Sequence, residues 1–224
     1  MIRQSVFGTV ILILCGLDLS LAALGIARYP ALFIQRGAWI VVAELVGVLL
    51  VYGTAAAVLL RLRGPAWQTI SKYGCVFGCI TGGLEVLSLG LETWLPAWAH
   101  RGIFSAGVMV MLFVFWGIAG GWAARATGSI SNGLWTAVIS AALCMLVAVA
   151  AGFVVEFFLA KLDVSAIQTW QEFKRSGWTD AKAFGLANTL DSGFTHLLLA
   201  PVVASLFGLG GSVFGRFKTR PPQR

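Results

Sequence analysis

Long continuous runs of apolar residues, separated by short polar breaks, extend along nearly the whole chain. A helix needs ~20 predominantly apolar residues to cross the hydrocarbon core of a bilayer. Because the runs are continuous and do not alternate between apolar and polar positions, they favour membrane helices over the strands of a barrel. The predicted spans are residues 5–27, 38–60, 74–96, 102–124, 134–159 and 187–214.

The one long connection, between the fifth and sixth spans, has an amphipathic pattern over residues 161–178. The residues on its apolar helical face are Leu162, Ala166, Trp170, Phe173 and Gly177. This pattern predicts either a helix lying in the membrane surface or a small lid packed on the bundle outside the membrane. The predicted fold class is therefore an all-α integral membrane protein, a bundle of about six transmembrane helices with one amphipathic interfacial helix between spans 5 and 6.

The composition agrees with a membrane protein of one domain, predicted over residues 1–215. Hydrophobic residues make up 58% of the chain and charged residues 11%, compared with about 25% charged in soluble domains. The cysteines all lie within apolar runs and are not in a CxxC motif, so we interpret them as packing residues. They are Cys15, Cys75, Cys79 and Cys144.

The distribution of Lys and Arg predicts the orientation of the chain in the membrane. The side that holds both termini and the second and fourth loops carries nine of the sixteen basic residues and no Asp or Glu. The positive-inside rule therefore favours cytoplasmic termini, in a bacterial-type inner (plasma) membrane. The basic tail, residues 216–224, is predicted to be disordered and to lie on anionic lipid. No folded basic domain accompanies it, so no nucleic-acid partner is predicted.

Glycines recur at intervals of four residues in three of the predicted spans. These small residues allow neighbouring helices to approach closely, so the third and last spans are predicted to lie at the tight centre of the bundle. The same faces are candidate surfaces for a membrane-protein partner or a second copy of the chain. The glycines are Gly74, Gly78 and Gly82, then Gly117 and Gly121, then Gly211 and Gly215.

Seven ionisable residues fall inside the spans, and all of them lie at the midplane or on the side away from the termini. Asp18, Glu44, Glu85 and His196 are the deepest, and are the main candidates for binding a cation or a proton. The second set, nearer the membrane surface, is Glu92, Glu156 and Asp191. No Lys or Arg lies well inside a span, so either some of these acids are protonated or a cation supplies the missing charge.

Two interpretations of these residues remain open. The first is an acid-lined cavity, open to the side away from the termini, that binds or translocates protons, a cation or a cationic small molecule. The second is a non-catalytic accessory or scaffold subunit whose buried polar residues serve helix packing. An enzyme is disfavoured because the chain has no HExxH, GxSxG, Walker or dinucleotide-binding motif, and no cofactor is predicted.

Overall fold

The computed structural model describes residues 6–62, 64–94, 100–159 and 164–217 as an all-α bundle. Six helices in this part of the chain are long and apolar enough to cross a membrane, so the predicted fold class of an all-α membrane protein is confirmed. The helices are α1 (Val6–Arg28), α2 (Ala38–Leu59), α3 (Pro65–Trp94), α4 (Arg101–Thr127), α5 (Ile130–Val154), α6 (Val164–Thr169), α7 (Gln171–Ser176) and α8 (Ala181–Phe217).

Two of the spans begin earlier than their hydropathy predicted. The α3 helix begins at Pro65, because proline is well suited to the first turn of a helix, where its missing N–H is not needed. The α8 helix begins at Ala181, because the Asp180 carboxylate accepts hydrogen bonds from the backbone N–H groups of Lys182 and Ala183, at 2.9 and 3.0 Å. A proline at the start of α3 and a capping carboxylate at the start of α8 therefore extend these helices beyond their apolar runs.

The connection between the fifth and sixth spans contains two short helices, not one amphipathic helix. Trp170 has extended backbone geometry and separates α6 from α7. Ile167 of α6 is buried, and the Phe173 ring of α7 packs edge-on against Phe184 of α8, with ring centroids 5.3 Å apart. The connection thus packs on the end of the bundle. Leu162 and the tail residues 218–224 lie outside the described residues, and the chain remains helical to Phe217.

The central helix is α5, which corrects the prediction that α3 and α8 occupy the centre. In its most apolar stretch 56% of the residues are buried, compared with 39% for α3 and 28% for α8. It contacts α1, α3, α4 and α8. A helix surrounded by other helices must be apolar or small on every side, and α5 carries no charged residue between Ile130 and Val155.

Glycine contacts close one half of the bundle. We call the half around Val6, Leu59, Pro65, Thr127, Ile130 and Phe217 the terminal half, and the other the distal half. In the terminal half, a Cβ atom added to Gly78 of α3 would lie 2.9 Å from Leu143 Cβ of α5. A Cβ added to Gly120 of α4 would lie 2.7 Å from the Gly208 carbonyl oxygen of α8. The helix backbones are therefore in direct contact there.

The glycines of the distal half have mixed surroundings. Gly102, Gly107 and Gly152 have no atom within 4 Å of an added Cβ, whereas a Cβ added to Gly25 of α1 would lie 2.5 Å from the Phe157 ring. In this half, the Ser105 hydroxyl of α4 donates a hydrogen bond to the Glu92 carboxylate of α3. Direct backbone contacts between α4 and α8 thus occur in the terminal half, whereas the Gly25 contact in the distal half is with a side chain.

Candidate functional site

A small pocket in the distal half lies between α3, α5 and α8. Its volume is about 100 Å³, and α5 contributes apolar wall residues that include Val149 and Phe153. Its polar lining residues are Glu85 from α3 and Thr189, Ser192 and His196 from α8. The pocket is large enough for a few water molecules and well below the ~300–1,000 Å³ of a site for a drug-sized ligand. It therefore suits a proton, water or a small ion.

Glu85 and His196 line this pocket from different helices, α3 and α8. Glu85 is half-buried, whereas His196 is exposed at the rim. The Nδ1 atom of His196 lies 2.7 Å from the backbone carbonyl oxygen of Ser192. Because a carbonyl can only accept, this contact assigns the proton of a neutral ring to Nδ1 and leaves Nε2 able to accept one. The pair combines an acid with a group that can gain a proton.

Asp18 occupies a different position, in the buried seam of α1. It is 0% exposed, and neither carboxylate oxygen has a hydrogen-bond partner among the described residues. The Cys15 thiol is buried one turn earlier on the same face of α1. Asp18 does not line the pocket of Glu85 and His196. The structure therefore separates the deepest predicted candidates into at least two locations.

A proline in α8 exposes a backbone acceptor close to the middle of the bundle. Pro201 has no N–H, so the carbonyl of Leu197, four residues earlier, lacks its helical hydrogen bond. The hydroxyl of Tyr52 on α2 donates to this carbonyl at 2.7 Å. Leu197 is completely buried, so the tyrosine satisfies an acceptor that water cannot easily reach.

This arrangement predicts an energetic coupling between Tyr52 and Pro201. Tyr52→Phe is expected to reduce the free energy of unfolding by about 1–3 kcal/mol, because it leaves a buried carbonyl unpaired. In a Pro201→Ala background the N–H at position 201 can restore the helical hydrogen bond. Tyr52→Phe should then reduce the free energy of unfolding by less. Unfolding of the four proteins in detergent gives the interaction energy. Equal costs in both backgrounds would show that Tyr52 does not compensate for the proline.

The remaining candidates lie elsewhere in the distal half. Glu44 is half-buried on α2 and does not line the pocket of Glu85. Glu92 accepts its hydrogen bond from Ser105, as expected for a residue that serves helix packing. Glu156 is half-buried in a π-helical turn that follows α5, and Asp191 is exposed on α8. The predicted clustering in the distal half thus includes residues in several separate environments.

Several polar groups near these residues were not found from sequence. Thr189 and Ser192 of the pocket are ordinary helix residues by composition, and only the i to i+4 spacing of Ser192 and His196 could have indicated their contact. Tyr52 could have been sought as a partner for the carbonyl that Pro201 leaves free. Within the described residues, no group of three or more His, Cys, Asp or Glu side chains could hold a metal ion.

Comparisons with protein-family models, curated proteins and solved structures found no match to this chain. Functional inference therefore depends on the geometry of the sites themselves.

Proposed function

We propose that this membrane protein binds a proton or a small monovalent cation in the distal pocket, with Glu85 and His196 as the binding groups. The observation that carries this proposal is that these two residues line one small pocket from opposite helices. A carboxylate in a poorly hydrated site needs either a proton or a cation to balance its charge. The pocket volume favours a proton or small ion over a cationic metabolite.

The proposed site exchanges its ligand with the distal side of the membrane. The terminal half is closed by backbone contacts between α4 and α8, which support a binding site rather than a permanently open channel. Translocation would then require these helices to separate. With both termini in the cytoplasm, as the Lys and Arg distribution predicts, the pocket faces away from the cytoplasm.

The test measures the thermal unfolding midpoint of purified protein against pH, Li⁺, Na⁺ and K⁺. A ligand at ten times its Kd contributes about 1.4 kcal/mol, which corresponds to about 3–6 °C for a chain of this size. We expect the unfolding midpoint of the wild-type protein to change with pH or with one of these cations. The variants Glu85→Gln and His196→Gln are expected to lose most of that change. Glu172→Gln changes an exposed acid on α7 and should retain it.

An unchanged response in both pocket variants would contradict binding at this site. The packing interpretation would then account for the polar residues. One further observation favours that alternative: an apolar groove of about 520 Å³ runs between α3 and α5, lined by small residues that include Gly83, Gly90 and Ala151. A groove of this kind suits close approach by another apolar helix.

A further inference from the structure

Asp18 lies in the middle of an otherwise apolar seam. The buried positions of α1 recur at intervals of three or four residues, and this stripe packs against α2 and α5. Its members are Phe7, Ile11, Cys15, Asp18, Ala22 and Gly25. A stripe with this spacing forms the contact face of a helix. A carboxyl group at its centre is therefore held among packed side chains, away from lipid headgroups and water.

Within the described part of the chain, no donor is hydrogen-bonded to this carboxyl. Arg28 is ten residues along α1, about 15 Å away along the axis, and it donates instead to the Phe157 carbonyl at 3.0 Å. Cys15 is buried one turn before Asp18 on α1, and the hydroxyl of Tyr52 on α2 is already bonded to the Leu197 carbonyl of α8. A carboxylate without a partner is strongly disfavoured in such a site, whereas a neutral acid is tolerated.

The α2 helix and the turn after α5 carry two half-buried acids, Glu44 and Glu156, and neither is hydrogen-bonded to Asp18. Phe153 of α5 and Phe157 of the π-helical turn that follows it stack on each other with ring centroids 5.3 Å apart, and the Phe157 ring also contacts Gly25 of the α1 seam. On α8, the Leu197 carbonyl accepts the hydrogen bond of Tyr52 from α2. Since Pro201 removes the helical bond to that carbonyl, α8 resists bending less here than elsewhere.

We propose that Asp18 is a second proton-binding site, distinct from the pocket of Glu85 and His196, which holds a proton while α1 is packed and releases it to water when the seam opens. The O–H bond of the carboxyl breaks in that step, the proton passes to a water molecule, and the carboxylate remains hydrated in the opened seam. Each opening therefore releases one proton, and the packing of α1 becomes dependent on pH. This inference goes beyond the proposed function and does not depend on it.

Cys15 provides a local reporter of the opening, because it is buried next to Asp18 on the same face of α1. The other cysteines are replaced (Cys75→Ala, Cys79→Ser, Cys144→Ala), and the rate of labelling by N-ethylmaleimide is followed by mass spectrometry against pH. Asp18→Asn in the same background is the neutral control. The intrinsic rise in thiolate with pH is common to both proteins and cancels in the ratio of their rates.

We compare the rate of Cys15 labelling in the protein with Asp18 with the rate in the Asp18→Asn protein. The ratio of the two rates is expected to increase with pH, by up to about tenfold per pH unit, since one proton is released per opening. A ratio that does not change with pH would overturn the proposal. If the Asn protein does not fold, Cys79, which is exposed on α3, serves as the sole cysteine in a reference protein. Labelling of Cys15 should then depend on pH more steeply than labelling of Cys79, and equal slopes would overturn the proposal.

Adding Glu85→Gln to the protein whose sole cysteine is Cys15 separates this proposal from the proposed function. We expect its Cys15 labelling to keep the pH dependence while its thermal response to pH or cations is lost. Loss of the labelling dependence in Glu85→Gln would show that the pocket, and not Asp18, controls the seam.

Discussion

Replacing Gly211 with alanine is expected to destabilise the bundle by about 1–3 kcal/mol, the usual cost of inserting atoms into a packed interior. An added Cβ at Gly211 would meet the backbone of Gly117 on α4, 3.0 Å from its Cα and closer still to its carbonyl group. Backbone atoms cannot rotate away as a side chain can, so α4 and α8 would have to separate. The effect should appear as a lower unfolding midpoint in heat or in an SDS titration.

The neighbouring residue supplies a matched control. Gly210 has no atom within 4 Å of an added Cβ, so Gly210→Ala should leave stability unchanged or raise it by about 0.5–1 kcal/mol through helix propensity. Similar results for Gly210→Ala and Gly211→Ala would contradict the direct contact of α4 with α8. That outcome would also weaken the proposal that the pocket is accessible only from the distal side, since the closed terminal half depends on this contact.

Leu146→Ala is expected to lower the free energy of unfolding by about 2–5 kcal/mol, at least as much as Gly211→Ala. Leu146 is 0% exposed on α5, the central helix, and the cavity left by its side chain would be bounded by neighbouring helices that cannot easily collapse into it. Leu206 on α8 is 69% exposed and faces lipid. Because lipid chains fill the space of a removed side chain, Leu206→Ala should change stability by less than about 0.5 kcal/mol.

The comparison of these two leucines tests the position of α5 without reference to any polar residue. Both substitutions remove the same atoms and differ only in their surroundings. Unfolding of each variant should be measured in the same detergent and then in lipid nanodiscs. A small effect at Leu146, or equal effects at the two positions, would be incompatible with α5 as the central helix.

The membrane class and the spans could be predicted from the sequence because they depend on local properties. A continuous apolar run has few stable alternatives to a helix in lipid, and six such helices are present. The helix ends were less predictable. The capping bonds of Asp180 to Lys182 and Ala183 continue α8 into residues that hydropathy alone assigns to the connection.

The choice of central helix required the tertiary structure. Glycine patterns identify helices that approach another backbone closely, and the Gly78 contact with Leu143 is of that kind. They do not show which helix is surrounded on all sides. The signal for α5 was the absence of charge along its whole length, a feature that it shares in part with other spans and that becomes decisive only when the packing is known.

By itself, the sequence determined that the chain forms membrane-spanning helices, and the helix order places its buried acids in one half of the bundle. Depth follows from position along a span, because an α-helix rises about 1.5 Å per residue. The grouping of those acids was decided by the tertiary structure alone. The rotation of each helix and its choice of neighbours depend on side-chain packing across the bundle. That packing brings Glu85 and His196 to one pocket and leaves the Asp18 carboxyl without a hydrogen-bond partner among the described residues.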